Sequence, residues 1–190
     1  MWKRASAVFL VAAALAFAAD LPRKAPDFAI NLPNGSQLHL SKYQGKVVVL
    51  IFILTTCPHC QNAVRCLSED QKQYGPRGLQ VVASAIEQDA QAAVPGFVKS
   101  FQPPFPVGFN NPYAAIAFMQ HPPMLIPHMP LIAFIDRQGM VRSQAEGLDS
   151  MLVNEQQVAG NLRAEIEKML AESAPKKTPV KRTAAHKRTN

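Results

Sequence analysis

Eight apolar residues in a row, Val47-Val48-Val49-Leu50-Ile51-Phe52-Ile53-Leu54, run directly into Thr55-Thr56-Cys57-Pro58-His59-Cys60. An unbroken, β-branched run suits a strand covered on both faces of a sheet, because a half-exposed strand alternates apolar with polar. A helical pattern follows, so Cys57 falls at a helix N-terminus with Cys60 one turn behind it. The helix dipole and the unpaired N–H groups there favour a thiolate over a thiol. A thiolate attacks disulfides, and a second cysteine one turn away can resolve the mixed disulfide that forms. The spacing predicts a redox couple.

Two plainer uses of a cysteine pair fit less well. A structural zinc site needs four ligands, usually as two spaced pairs. The remaining cysteine is Cys66, and His39, His59, His121, His128 and His186 form no matching group. A purely structural disulfide across three residues closes too small a loop to restrict the unfolded chain much. Cys66 itself lies roughly 180° and 240° around the helix from Cys57 and Cys60 at about 100° per residue. It is expected to be a buried, inert thiol.

The two ends of the chain differ from its middle. Lys3 and Arg4 precede an uncharged stretch, Ala5 to Ala19, and Ala16-Phe17-Ala18 fits a small-residue cleavage site. The stretch is shorter than the roughly 20 residues a bilayer span needs, so residues 1–18 read as a cleaved signal peptide and the protein as periplasmic or secreted, where disulfides persist. At the other end, residues 173–190 carry Lys176, Lys177, Lys181, Arg182, Lys187 and Arg188 with no acid. That composition cannot bury enough surface to order itself, so a basic disordered tail is expected, with weak contact to anionic surfaces as its one suggested use. Of the 20 basic residues, two lie in the signal and six in the tail, leaving 12 against all 13 acids. The middle is nearly neutral, which removes the electrostatic case for nucleic acid.

Residues 19–172 remain as one domain, long enough for a full core. Phe28-Ala29-Ile30 and Gln37-Leu38-His39-Leu40 flank Pro33-Asn34-Gly35-Ser36, a hairpin signal. The long strand follows, then a helix from about Pro58 to Tyr74 that Gly75-Pro76 should stop. Next come a strand over Leu79 to Ile86, a helix over Ala90 to Phe101, a short strand over Phe105 to Phe109 and a short helix over Pro112 to Met119. Leu131 to Ile135 and Met140 to Ser143 read as strands joined by Asp136-Arg137-Gln138-Gly139, a turn with Gly where positive φ is easiest. A helix from about Asn154 to Ala171 closes the domain. Alternating strands and helices predict an α/β fold with a central mixed sheet flanked by helices and an N-terminal β-hairpin extension.

Four segments in order resemble the thioredoxin superfamily, most closely its exported TlpA/ResA-like, redoxin branch. They are Ala25-Pro26-Asp27-Phe28, Leu40-Ser41-Lys42-Tyr43-Gln44-Gly45-Lys46, Cys57-Pro58-His59-Cys60 and Met129-Pro130-Leu131-Ile132-Ala133-Phe134-Ile135-Asp136-Arg137-Gln138-Gly139. The resemblance implies a thioredoxin-like fold and a thiol–disulfide oxidoreductase acting on protein thiols and disulfides with a redox partner protein and no cofactor. Its implied site is Cys57, Cys60, His59 and Pro130, with the bond before Pro130 cis and the proline against the cysteine pair. Pro122, Pro123 and Pro127 read as ordinary loop prolines. The chain departs from the family in two places. Thr56 stands where the branch usually has Trp. Ile51 stands six residues before the first cysteine, where many thioredoxin-fold enzymes carry a buried acid that helps deprotonate the second, so the Cys60 proton must leave by water, another residue or substrate. Peroxidatic relatives place a proline and a threonine seven and three residues before their cysteine, where this chain has Leu50 and Leu54, which argues against a peroxidase.

The direction of exchange stays open at this level. Pro58-His59 matches the dipeptide of strongly oxidising DsbA proteins, and a cationic His59 stabilises a thiolate. The TlpA/ResA-like background implies a reductant instead. A second class is a Cu(I)-binding chaperone of the same fold, using Cys57, Cys60 and His128. Such chaperones usually have C-x-x-x-C, which lowers its standing.

Overall fold

The computed structural model describes residues 19–122 and 124–172. The expected signal peptide, the expected tail and Pro123 lie outside the described residues. The elements in chain order are β1 (Arg23–Lys24), β2 (Ala29–Asn31), β3 (Gln37–His39), β4 (Val47–Ile53), α1 (Pro58–Tyr74), β5 (Leu79–Ala85), α2 (Ala90–Phe101), β6 (Val107–Phe109), α3 (Pro112–Met119), β7 (Leu131–Ile135), β8 (Met140–Glu146) and α4 (Val158–Glu172). The strands form one mixed sheet in the order β1-β8-β7-β4-β5-β6-β2-β3.

The apolar run becomes β4, and all seven of its residues are buried. It pairs parallel with β5 and antiparallel with β7, so no edge of it meets water. Alternate side chains enter two separate cores, as the two-residue period of a strand requires. Val49, Ile51 and Ile53 pack with Val64 and Leu67 of α1 and with Leu162 and Ile166 of α4. Leu50 and Phe52 face the other way, toward Phe28, Phe118 and Tyr43. Phe28, Phe52 and Phe118 meet edge to face, with centroids 5.3 to 6.0 Å apart. Truncating Phe52 to Ala is expected to cost about 3–5 kcal/mol.

Two details depart from the sequence reading. The N-terminal segment is more than a hairpin extension: β2 and β3 extend the sheet beyond β6, while β1 pairs with β8 at the opposite edge. One short segment thereby covers strands that would otherwise present unpaired backbone. The last helix starts at Val158 rather than near Asn154. The Asn154 side chain accepts from the Gln156 amide at 3.1 Å, a local turn that competes with helix. α1 ends at Tyr74 with Gly75 as its C-cap, where Gly75-Pro76 was expected to stop it, and the left-handed residue that follows is Gly78, with φ 98°.

Candidate redox site

Strand pairing decides what meets the cysteines. Ile53 at the end of β4 lies beside Ala85 at the end of β5, and Leu131 at the start of β7 lies beside Phe52. The segments leaving β4 and β5 and the segment entering β7 therefore share one end of the sheet. Carboxyl ends of parallel strands are where open α/β sheets place their ligands.

Cys57 is the N-cap of α1, with extended backbone, and Pro58 occupies the first turn, where its missing N–H costs nothing. The Cys57 sulfur accepts from the Cys60 amide at 3.4 Å. Two further bonds fix the turn: the Cys57 amide to the Leu54 carbonyl at 3.1 Å, and Gln61 Nε2 to the Thr55 carbonyl at 2.9 Å. Cys57 is partly exposed, whereas Cys60 is 0% exposed. Burial pushes the Cys60 thiol far above the ordinary range. The Leu54 amide pulls it back somewhat, and Cys57 and Glu87 push it further up. One sulfur of the pair is reachable and the other is held as a thiol in a dry interior.

His59 is exposed, and its Nδ1 lies 3.2 Å from Glu155 Oε1. Glu155 comes from the segment before α4, which the spacing around the motif gave no reason to select. Pro130 is buried directly before β7, and the Met129–Pro130 peptide is cis, as the resemblance implies. The Leu21–Pro22 peptide is cis as well. Gly147 presses against this segment: its amide donates to the His128 carbonyl at 2.7 Å, and a Cβ at Gly147 would collide with the Met129 carbonyl.

Other residues fall outside this arrangement. Among the described residues no three His, Cys, Asp or Glu side chains gather to hold a metal ion, so His128 does not join the cysteine pair. Cys66 is partly exposed rather than buried, and burial together with Asp70 pushes its thiol up. Glu87 was missed by the sequence reading. It stands two residues beyond β5, where its Oε1 accepts from the Thr55 amide at 2.9 Å and from the Thr55 hydroxyl. The available signal was a carboxyl placed immediately after the second parallel strand.

Comparison with known proteins places the fold and the family. The solved structure of a thioredoxin-family thiol:disulfide interchange protein from Chlorobium tepidum aligns with 80% of this chain and 99% of its own, at TM-score 0.64 and 24% identity. That likeness shows the fold, and with the family match and curated relatives that follow, the chain is a thioredoxin-superfamily oxidoreductase. Within that class the chain belongs to the redoxin family, whose model, Redoxin, matches residues 22–157. A thiol-disulfide oxidoreductase ResA from Bacillus thuringiensis subsp. konkukian is 27% identical over 128 residues, covering 67% of this chain and 70% of the relative. The ResA of Bacillus subtilis is 32% identical over 83 residues, 44% of this chain and 46% of that protein.

Proposed function

We propose that this chain is an exported thiol–disulfide oxidoreductase that exchanges disulfides with protein substrates through Cys57 and Cys60. The observation that carries the reading is the unequal pair: a reachable sulfur capping α1 and a buried sulfur whose amide points at it over 3.4 Å. The Cys57 thiolate attacks a substrate disulfide, a mixed disulfide forms on Cys57, and one substrate thiolate leaves. Cys60 then attacks the Cys57 sulfur, the second substrate thiolate leaves, and the enzyme holds a Cys57–Cys60 disulfide. Every step runs backwards when the substrate is the dithiol.

Pro130 has no backbone donor beside the pair, and Met129 just outside β7 offers its backbone to an extended substrate segment, in the manner of strand addition. Export is supported by Lys3, Arg4 and the stretch ending in Ala16-Phe17-Ala18. N-terminal sequencing of the mature protein should begin at Ala19. The basic tail adds, at most, salt-sensitive contact with anionic surfaces.

His59 and Glu155 govern direction. A cationic His59 two residues after Cys57 would stabilise the reduced form and make the disulfide oxidising, and the Glu155 carboxylate 3.2 Å from its Nδ1 would offset that charge. The reduction potential is therefore expected between the thioredoxin value of about −270 mV and the DsbA value of about −120 mV. Equilibration with glutathione buffers measures it, and a value at the DsbA end would make the protein an oxidase. The central test is a pair of variants assayed on a protein disulfide. Cys57→Ser should abolish exchange, and Cys60→Ser should accumulate mixed disulfides on Cys57. Exchange that survives Cys57→Ser would remove the proposal.

A further inference from the structure

The resolving step leaves a proton unaccounted for. Cys60 must become a thiolate to attack, yet it is 0% exposed and its thiol is pushed up by burial. Ile51 of β4, in the same buried cluster as Cys60, is apolar and 0% exposed, so it can accept nothing. Bulk water reaches the buried sulfur poorly. A base on a neighbouring element is needed.

Glu87 brings a carboxylate to this end of the sheet, bonded to the residue two before Cys57. Thr55 anchors a single oxygen, Oε1, through its amide and its hydroxyl. Thr55 is itself tied to α1 by Gln61 Nε2 at 2.9 Å from its carbonyl. The other oxygen, Oε2, is out of solvent and has no hydrogen-bond partner. Stranding a carboxylate oxygen in this way costs stability. The titratable groups acting on Cys60 are Cys57 from its own helix and Glu87 from the end of β5. His59 is turned to Glu155 at the surface.

We propose, resting on the exchange chemistry above, that Glu87 is the base of the resolving step and takes the Cys60 thiol proton on Oε2, directly or through one water. The Cys60 S–H bond breaks, its proton goes to Glu87, and the electron pair left on sulfur forms the bond to Cys57 Sγ. The bond from Cys57 to the substrate sulfur breaks, and that sulfur leaves with the pair as a thiolate. The enzyme dithiol has lost two electrons and the substrate disulfide has gained them. The proton on Glu87 then passes to the departing thiolate or to water. In the reverse direction the Glu87 carboxylic acid protonates Cys60 as it leaves.

Repulsion and base catalysis predict opposite results for Glu87→Gln. A glutamine keeps an oxygen for both Thr55 donors and removes only the charge and the basicity. If Glu87 did no more than repel the Cys60 thiolate, the variant would resolve faster. If it is the base, the variant resolves slower.

The experiment mixes the reduced full-length protein, in a Cys66→Ser background, with 5,5′-dithiobis(2-nitrobenzoate) in a stopped-flow instrument. The first nitrothiobenzoate released reports attack by Cys57 and depends on reagent concentration. The second reports attack by Cys60 and does not. Glu87→Gln should leave the first phase unchanged and slow the second by about 100-fold, the lower end of general-base effects. The second phase should be flat across neutral pH in the parent and rise tenfold per pH unit in the variant. A second phase that is unchanged or faster overturns the assignment, and so does an equal fall of both phases, which would make Glu87 a support for the whole motif. A parent chain that releases nothing in the first phase would instead defeat the exchange reading itself.

Discussion

Two carboxylates sit at opposite ends of the same sheet and are treated differently. Asp136, in the turn between β7 and β8, is 4% exposed and uses both oxygens. Oδ1 accepts from the Gln138 and Met140 amides at 2.8 and 2.9 Å, and Oδ2 accepts from Arg142 Nε at 2.6 Å. Beside it, Arg137 ties two neighbouring loops together through the Gly45 and Arg77 carbonyls, at 3.1 and 2.8 Å. Glu87, at the cysteine end, has both donors on one oxygen and leaves the other dry and unpaired. A fully bonded buried carboxylate holds a turn. A half-bonded one retains the capacity to take a proton. The bonding of Asp136 serves stability, and the free oxygen of Glu87 is the one the proposed proton transfer uses.

The largest effect that separates them should come from stability. Asp136→Ala removes three hydrogen bonds and leaves Arg142 without its partner, so urea unfolding should show a loss of about 2–4 kcal/mol. The rate of the Cys60 step, measured on the folded fraction, should not change. Glu87→Gln should do the reverse, with stability within about 1 kcal/mol of the parent. Equal destabilisation by the two substitutions would erase the contrast.

A smaller effect follows from the pH dependence of the reduced form. The folded Cys60 thiol is raised above the ordinary thiol value of 9.0. The stability associated with that raised value is present below the unfolded thiol's range and is lost as pH rises above about 9, because the unfolded chain then sheds a proton that the folded chain keeps. Unfolding of the reduced protein should therefore grow easier from about pH 9 upward, and the oxidised protein, which has no Cys60 thiol, should lack that contribution. Parallel curves for the two redox forms would contradict the dry environment assigned to Cys60.

Labelling sharpens the comparison without unfolding the protein. Iodoacetamide should modify Cys57 first, Cys66 next and Cys60 last, since Cys57 and Cys66 are partly exposed and Cys60 is not. Mass spectrometry of the early products would show the order, and early modification of Cys60 would mean its pocket opens. The smallest effect is expected for a chain ending at Glu172. The last core residues of α4 are Met169 and Leu170, so melting temperature and redox rate should match the full chain. A large drop would place the last 18 residues, 173–190, against the domain.

Much of the layout could be read along the chain. The apolar run at 47–54 became the most buried strand, and α1, α2 and α3 occupy the segments their periodicity and prolines marked. The two-residue β1 was invisible, because so short a strand has no period to detect and exists only through its pairing with Val141 and Met140. The late start of α4 was also hidden, since the Asn154 turn and the helix compete for the same backbone donors.

By itself, the sequence determined the spacing of the cysteine pair and its asymmetry. Three residues of helical spacing and a proline at the first helical position are local facts, and they place one sulfur at the helix end and the other a turn inside. What only the tertiary structure decided is the company the pair keeps. Glu87 reaches Thr55 across 32 residues, and Glu155 reaches His59 from the segment before α4. Each of these meetings depends on which strands pair and in what register. Pairing register is set by burial of whole strand faces, which no spacing around the cysteines encodes.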